Sequence, residues 1–242
     1  NLLIKKRANE IITTINFENI EFEMSQLLDN GSKNLLEDAM LLIASYGYPL
    51  VDKSDYRRKL DKFSFDIRAK LNEINNEIEE IPPMEILKTI NNYFFKEIGF
   101  TGNNDNYYDP DNSFLNKVID RKIGIPITLS IVYMLVAKRL DLPVYGLSLP
   151  GHFILKYNNG NPEEEYFVDP FNKGVLISVQ EASQFIKNSG ISKEEFIDIP
   201  YLKPSSEKEI LLRVLRNLVE AFKKENETLK SEQLEKLMQN FA

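Results

Sequence analysis

Hydrophobic positions in the first third of the chain recur at helical spacing. From Tyr56 they fall at Leu60, Phe63, Ile67, Leu71, Ile74 and Ile78, steps of three and four that gather on one helix face. Before this stripe, Ser32 stands where it would cap an apolar stretch holding Leu35, Leu36, Met40, Leu41 and Ile43, which ends near Gly47 and Pro49. Pro82-Pro83 breaks the helical pattern, because proline lacks an amide hydrogen and restricts the residue before it, and this predicts a boundary at 83. A third helical stretch, Met84 to Ile98, closes at Gly99. The polar run Thr101 to Pro110 is a long loop of the kind that carries function. Ser113 to Lys122 is again helical, and Ile123-Gly124-Ile125-Pro126 turns into the most hydrophobic segment of the chain. Ile127 to Leu140 is apolar nearly all round, broken only by Thr128, Ser130 and Tyr133, so it predicts a helix buried on every side. Pro126 suits its first turn, where a missing amide hydrogen costs nothing.

The pattern then changes period. Val144–Leu149, Phe153–Tyr157 and Tyr166–Phe171 are short β-branched and aromatic runs separated by Pro, Gly and Asn, which predicts strands. Helical spacing returns with capping-box pairs at Ser178 and Glu181, Ser192 and Glu195, and Ser206 and Glu209. Residues 207–242 form two helical stretches split near Asn226-Glu227-Thr228. The expected class is α+β: a helical N-terminal part, a buried central helix on a small antiparallel sheet, and a helical C-terminal hairpin.

Composition narrows the chemistry more than the fold. The 242 residues are 43% hydrophobic and 28% charged, ordinary for a globular protein. No apolar run is long enough to span a bilayer, so membrane insertion is not expected. A net charge of −7 argues against nucleic acid as a partner, since phosphates call for a basic face. The chain has no cysteine and one histidine, which excludes disulfides, a cysteine nucleophile and zinc sites of the usual His/Cys types. Asp105, Asp109, Asp111 and Asp120 lack the alternate spacing and closing glutamate of a calcium loop, and no glycine-rich phosphate loop occurs, so neither metal nor cofactor is expected. The first residues show no secretory leader, and the expected location is the cytoplasm.

The single histidine has an identifiable neighbour. If Asn158 opposes Glu163 across the tip Asn158-Asn159-Gly160-Asn161, then Lys156 faces Glu165, Leu155 faces Tyr166, Phe153 faces Val168 and His152 faces Asp169. An aspartate against a histidine is the orienting half of a catalytic triad. It is equally the form of a structural ion pair at a strand end, and a catalytic arrangement would still need a nucleophile.

Several ordered motifs carry a family resemblance: Gly99-Phe100-Thr101-Gly102-Asn103, Tyr107-Tyr108-Asp109-Pro110, Asn112-Ser113-Phe114-Leu115-Asn116, Arg121 through Ser130, Pro150-Gly151-His152-Phe153 and Val168-Asp169-Pro170-Phe171-Asn172. Together, over residues 35–240, they resemble the transglutaminase-like superfamily, and within it the bacterial Sir-B type, which joins a transglutaminase-like core to tetratricopeptide-like helices. The resemblance implies a transglutaminase-like (papain-like) core over 84–200, an N-terminal helical region over 1–83 and a tetratricopeptide-like hairpin over 201–242. In that hairpin Leu211, Leu212, Val214, Leu215 and Leu218 would face inward against Leu234 and Leu237.

In catalytic branches of the superfamily a cysteine opens the central helix and pairs with a histidine and an aspartate on adjacent strands. The matching positions are His152, Asp169 and, at the cysteine, Pro126, which has no nucleophilic atom. The implied function is therefore a pseudoenzyme, a protein- or peptide-binding or regulatory module whose cleft is formed by the vestigial pair, the aromatic loop at Tyr107 and Tyr108, and Asn112 and Asn116. The alternative is a hydrolase or amide-processing enzyme that uses Ser130, about one turn deeper than Pro126 on the same helix face, or an activated water. The plain reading of Thr128 and Ser130 is hydroxyls satisfied by backbone carbonyls inside a buried helix. A third reading is a scaffold whose His–Asp pair only ties two strands.

Overall fold

The computed structural model describes residues 2–161, 164–177 and 203–241, with side chains from residue 13 onward. Its helices are α1 (Leu2–Asn30), α2 (Leu35–Gly47), α3 (Lys53–Asn72), α4 (Pro83–Asn92), α5 (Leu115–Arg121), α6 (Pro126–Arg139), α7 (Glu207–Lys224) and α8 (Thr228–Met238). Its strands are β1 (Thr101–Gly102), β2 (Ile123–Gly124), β3 (Val144–Leu149), β4 (His152–Tyr157), β5 (Tyr166–Asp169) and β6 (Val175–Ile177). The fold is α+β, as the sequence pattern predicts. None of the described helices is long and apolar enough to cross a membrane.

The central helix α6 has Ile127, Leu129, Ile131, Val132, Tyr133, Leu135, Val136 and Ala137 at most 3% exposed, all round its circumference. It can be so apolar because it is enclosed by β3 and β4, by α3 and α5, and by α7. Each such aliphatic side chain removed from water contributes roughly 1.5–3 kcal/mol. Its polar ends are tied elsewhere. Arg139 bonds Glu37 Oε2 of α2 at 2.7 Å and Asp61 of α3 at 2.7 Å, and Glu37 Oε1 also accepts from Arg57 at 2.9 Å. This charged cluster pins three helices at one end of the core.

The main sheet is antiparallel, in the order β3-β4-β5-β6. β6 is too short a run to be read from sequence. The expected pairing of β4 with β5 is corrected by two residues: Leu155 faces Val168, Lys156 faces Phe167 and Tyr157 faces Tyr166. The connection between Tyr157 and Tyr166 is longer than the assumed tip, and it turns through Asn158 and Asn159, whose side chains accept from the amides of Gly160 at 2.7 Å and Asn161 at 3.0 Å. A shift of two leaves every side chain on its own face of the sheet, because the strand period is two. Lys156 therefore still reaches Glu165, now diagonally, at 2.8 Å.

Helix boundaries differ in several places: α4 gives way to a π-helical turn at Tyr93–Glu97, and α5 starts at Leu115 rather than Ser113. α2 is entered through Asn34, while Ser32 accepts from the Asn34 amide and donates to Asp38. α3 begins three residues earlier than its stripe, because Asp52 accepts from the amides of Ser54 and Asp55. It stops at Asn72, leaving Ile74 half exposed, since the Asn75 side chain turns the chain by accepting from the Glu77 amide at 3.0 Å. Ile78 is nonetheless buried in the short turn that follows. The capping box of Ser206 and Glu209 forms at the start of α7. The corresponding pairs at 178 and 181 and at 192 and 195 lie outside the described residues.

Candidate functional site

β4 delivers His152 at its first residue and β5 delivers Asp169 at its last. The two positions are diagonal neighbours across the strand pair, and the side chains close the gap: His152 Nε2 lies 2.8 Å from Asp169 Oδ2. Asp169 is 1% exposed. Its other contacts come from its own turn, in which Asp169-Pro170 redirects the chain. Oδ1 accepts from the amides of Phe171 at 3.0 Å and Asn172 at 3.2 Å, and Oδ2 also accepts from Asn172 Nδ2 at 2.7 Å. Burial alone would raise this carboxyl's pKa; the imidazole and the Asn172 donors outweigh it and hold it below the ordinary carboxylate value. Asp169 is therefore a fixed anion that orients the ring.

The turn that carries Asn172 is itself docked. Gly174 has φ +73°, and the space where a Cβ would stand is taken by the Phe95 ring at 2.4 Å, so glycine is required there. Asn91 of α4 donates to the Gly174 carbonyl at 2.6 Å.

An aromatic series runs from the imidazole outward. His152 and Phe171 are edge to face with centroids 6.3 Å apart, Phe171 meets Tyr107 at 6.4 Å, and Tyr107 meets Tyr108 at 5.3 Å. Phe171 also lies over Gly102, where an added Cβ would be 2.6 Å from the ring. This joins the site to the β1–β2 bridge that precedes α6. Tyr107 is thus linked to the histidine through Phe171, and Tyr108, one ring further out, is 45% exposed.

Pro126 opens α6 and is buried. Thr128 Oγ1 is satisfied as expected, donating to the Asn112 carbonyl at 2.6 Å and accepting from the Ile125 amide at 3.2 Å. Ser130 is not: it is fully buried and its Oγ has no hydrogen-bond partner among the described residues, neither a backbone carbonyl nor the imidazole.

The two asparagines separate. Asn112 is fully buried and wholly engaged, accepting from Asn103 Nδ2 and donating to the carbonyls of Asn106 and Tyr107, so it fastens the aromatic loop. Asn116 is 4% exposed, with Oδ1 unpartnered, and it faces a different cavity, of about 550 Å³, with Tyr48, Tyr56 and Asp120.

Three contributors escape sequence reasoning. Asn172 and Phe171 sit in a motif whose Asp-Pro turn signal was visible, but their contacts depend on register. Arg213 of α7 donates to the carbonyls of Leu149 at 3.1 Å and His152 at 2.8 Å, bracing the β3–β4 turn from far along the chain.

Comparison with known proteins identifies the family. Residues 54–216 match the family model described as the transglutaminase-like superfamily. A UPF0162 protein of Xylella fastidiosa is 33% identical over 195 residues, which is 79% of this chain and 66% of that protein. A UPF0162 protein of Pseudomonas aeruginosa is 30% identical over 183 residues, 76% of this chain and 63% of its own length. Human F-box only protein 21 is 29% identical over 108 residues, covering 42% of this chain and 17% of that protein. The chain therefore spans less than two thirds of the UPF0162 relatives. No solved structure matches.

Proposed function

We propose that this chain, which belongs to the transglutaminase-like superfamily, is a non-catalytic module that binds a protein or peptide segment beside the His152–Asp169 pair. The observation that carries the reading is the start of α6: Pro126 occupies the first turn of the helix, in a sequence without cysteine. A nucleophile must lie within hydrogen-bond reach of the histidine that activates it. Ser130 is buried without a hydrogen bond to His152, which weighs against the hydrolase alternative. What survives is a rigid, partly exposed imidazole from which Phe171, Tyr107 and Tyr108 run outward in series. Rings held at fixed angles with one polar group among them suit recognition of an extended segment. Within the superfamily we place the chain in the Sir-B type, with α7 and α8 as a tetratricopeptide-like pair whose outer face meets the partner.

The test is turnover. Purified protein is assayed against p-nitrophenyl esters and peptide amides alongside His152→Ala. The expected result is no turnover by either. Hydrolysis or transfer by the wild type that disappears in His152→Ala would overturn the reading.

A further inference from the structure

Behind the Leu149–His152 turn lies an open groove of about 1050 Å³ between that turn, the segment entering α7, and one face of α7 itself. Its charge runs against that of the molecule. The chain carries −7 overall, yet Arg213, Arg216 and Lys203 all line the groove, and none of the three makes an ion pair with another of the described residues. Glu209, the one carboxylate among the described lining residues, is committed to its cap, accepting from the Ser206 amide at 2.6 Å and hydroxyl at 2.8 Å, and it feels the charge of Lys203. Ser148, Ser205 and Asn217 add neutral polar groups to the walls.

Arg213 is the fixed element. It is half-buried, its guanidinium lies 5.6 Å from the centroid of the Phe153 ring, and two of its N–H groups are spent on the carbonyls of Leu149 and His152. A guanidinium has five N–H donors, so three remain. Burial and the neighbouring Arg216 both press against its charge, and the polarised Tyr107 hydroxyl only partly offsets them. A desolvated cation with spare donors and no counter-ion among the described residues is the half of a fork-to-fork pair that a carboxylate completes. Arg216, one turn further along α7, is exposed and has no ion pair among the described residues, so it can meet a second carboxylate.

We propose that this groove docks an acidic peptide segment, with Arg213 and Arg216 each taking one carboxylate side chain. The inference rests on the peptide-binding reading above and names the chemistry of the segment. Charge complementarity selects the occupant: the excess positive charge matches two neighbouring carboxylates, and at about 1050 Å³ the groove is larger than an isolated anion needs. Arg213 also connects the docking to the dyad, since the same guanidinium holds the His152 carbonyl.

The test uses a fluorescein-labelled hexaglutamate peptide and its hexaglutamine counterpart, read by anisotropy at low salt. Hexaglutamate should bind and weaken as salt is raised, and hexaglutamine should not bind. Arg216→Gln, an exposed position chosen because Arg213 also supports the turn, should weaken binding by about tenfold, the loss of one charged fork. The imidazole signal of the only histidine should shift in NMR spectra on saturation with hexaglutamate. Absence of binding, or binding unchanged in Arg216→Gln, would overturn the proposal. Displacement by equimolar inorganic phosphate would also overturn it, in favour of a phosphoryl ligand. These results leave the turnover assay untouched, so failure here and failure of the non-catalytic reading are separable.

Discussion

Asp169→Asn removes the charge at the centre of the site while keeping the side chain's volume. The carboxylate accepts four hydrogen bonds at 2.7–3.2 Å, two on each oxygen. An amide offers one oxygen and one NH2, so one pair of donors is left facing another donor. With the oxygen toward the backbone, the NH2 meets His152 and Asn172 Nδ2, and relief requires the imidazole to change tautomer and the Asn172 amide to turn over. With the oxygen toward those side chains, the NH2 meets two backbone N–H groups that cannot rearrange. Hydrogen bonds to a charged group are worth about 1.5–3 kcal/mol each, so losing two and recovering part gives an expected cost of about 3 kcal/mol. The assay is urea unfolding followed by far-ultraviolet circular dichroism; with a slope of about 2–3 kcal/mol/M the midpoint should fall by roughly 1–1.5 M.

The pH dependence supplies a second, sign-specific check. The folded carboxyl titrates below its unfolded value near 3.9, so its stabilisation is complete well above that value and is lost as pH falls through the lowered folded value. Asparagine contributes nothing at any pH. The gap between wild type and Asp169→Asn should therefore be full at pH 5 and shrink toward pH 3. A cost under about 0.5 kcal/mol, or a gap that widens in acid, would refute the account of Asp169 as a fully satisfied buried anion.

Other outcomes follow from single contacts. His152→Ala should cost less than about 1 kcal/mol, because Asp169 keeps three donors and water can enter beside a side chain already 12% exposed; a loss of about 1–3 kcal/mol in urea unfolding would favour the scaffold reading instead. Gly174→Ala should destabilise by about 1–3 kcal/mol, since its Cβ would collide with Phe95 and its φ is +73°; an unchanged midpoint would show that the turn is not docked as described. Glu37→Ala should cost about 1–3 kcal/mol, because Arg139 keeps Asp61 and Arg57 keeps Asp38 but each loses a charged hydrogen bond, and a thermal scan showing no loss would argue that the three-helix charge cluster carries no stability.

What the sequence revealed about the site was its parity, and what it hid was its register. Matching charged and apolar residues across Phe153–Tyr157 and Tyr166–Asp169 placed His152 and Asp169 on one face, and period-two geometry makes that conclusion immune to a slip of two. The pairing itself depended on how many residues the Asn158–Glu165 connection uses, which is set by side-chain turns no alternation pattern encodes. The continuous apolar run of α6 and the capping box of α7 were legible because each is local. Arg213 was invisible for the opposite reason: its partners lie 61 and 64 residues away, and it looks like any charged residue on a helix. Asp52 and Asn75, which set the two ends of α3, act through side-chain bonds to the backbone that hydrophobic spacing does not report.

The long Asn-rich tip of the β4–β5 hairpin makes this part of the chain tolerant of length change in one restricted way. Pairs of residues can be gained or lost there and the imidazole and carboxylate stay on a common surface, within diagonal reach. A single-residue insertion that propagated into the strand would send one of them through the sheet to the side where α6 packs. Drift in the tip should therefore come in even steps.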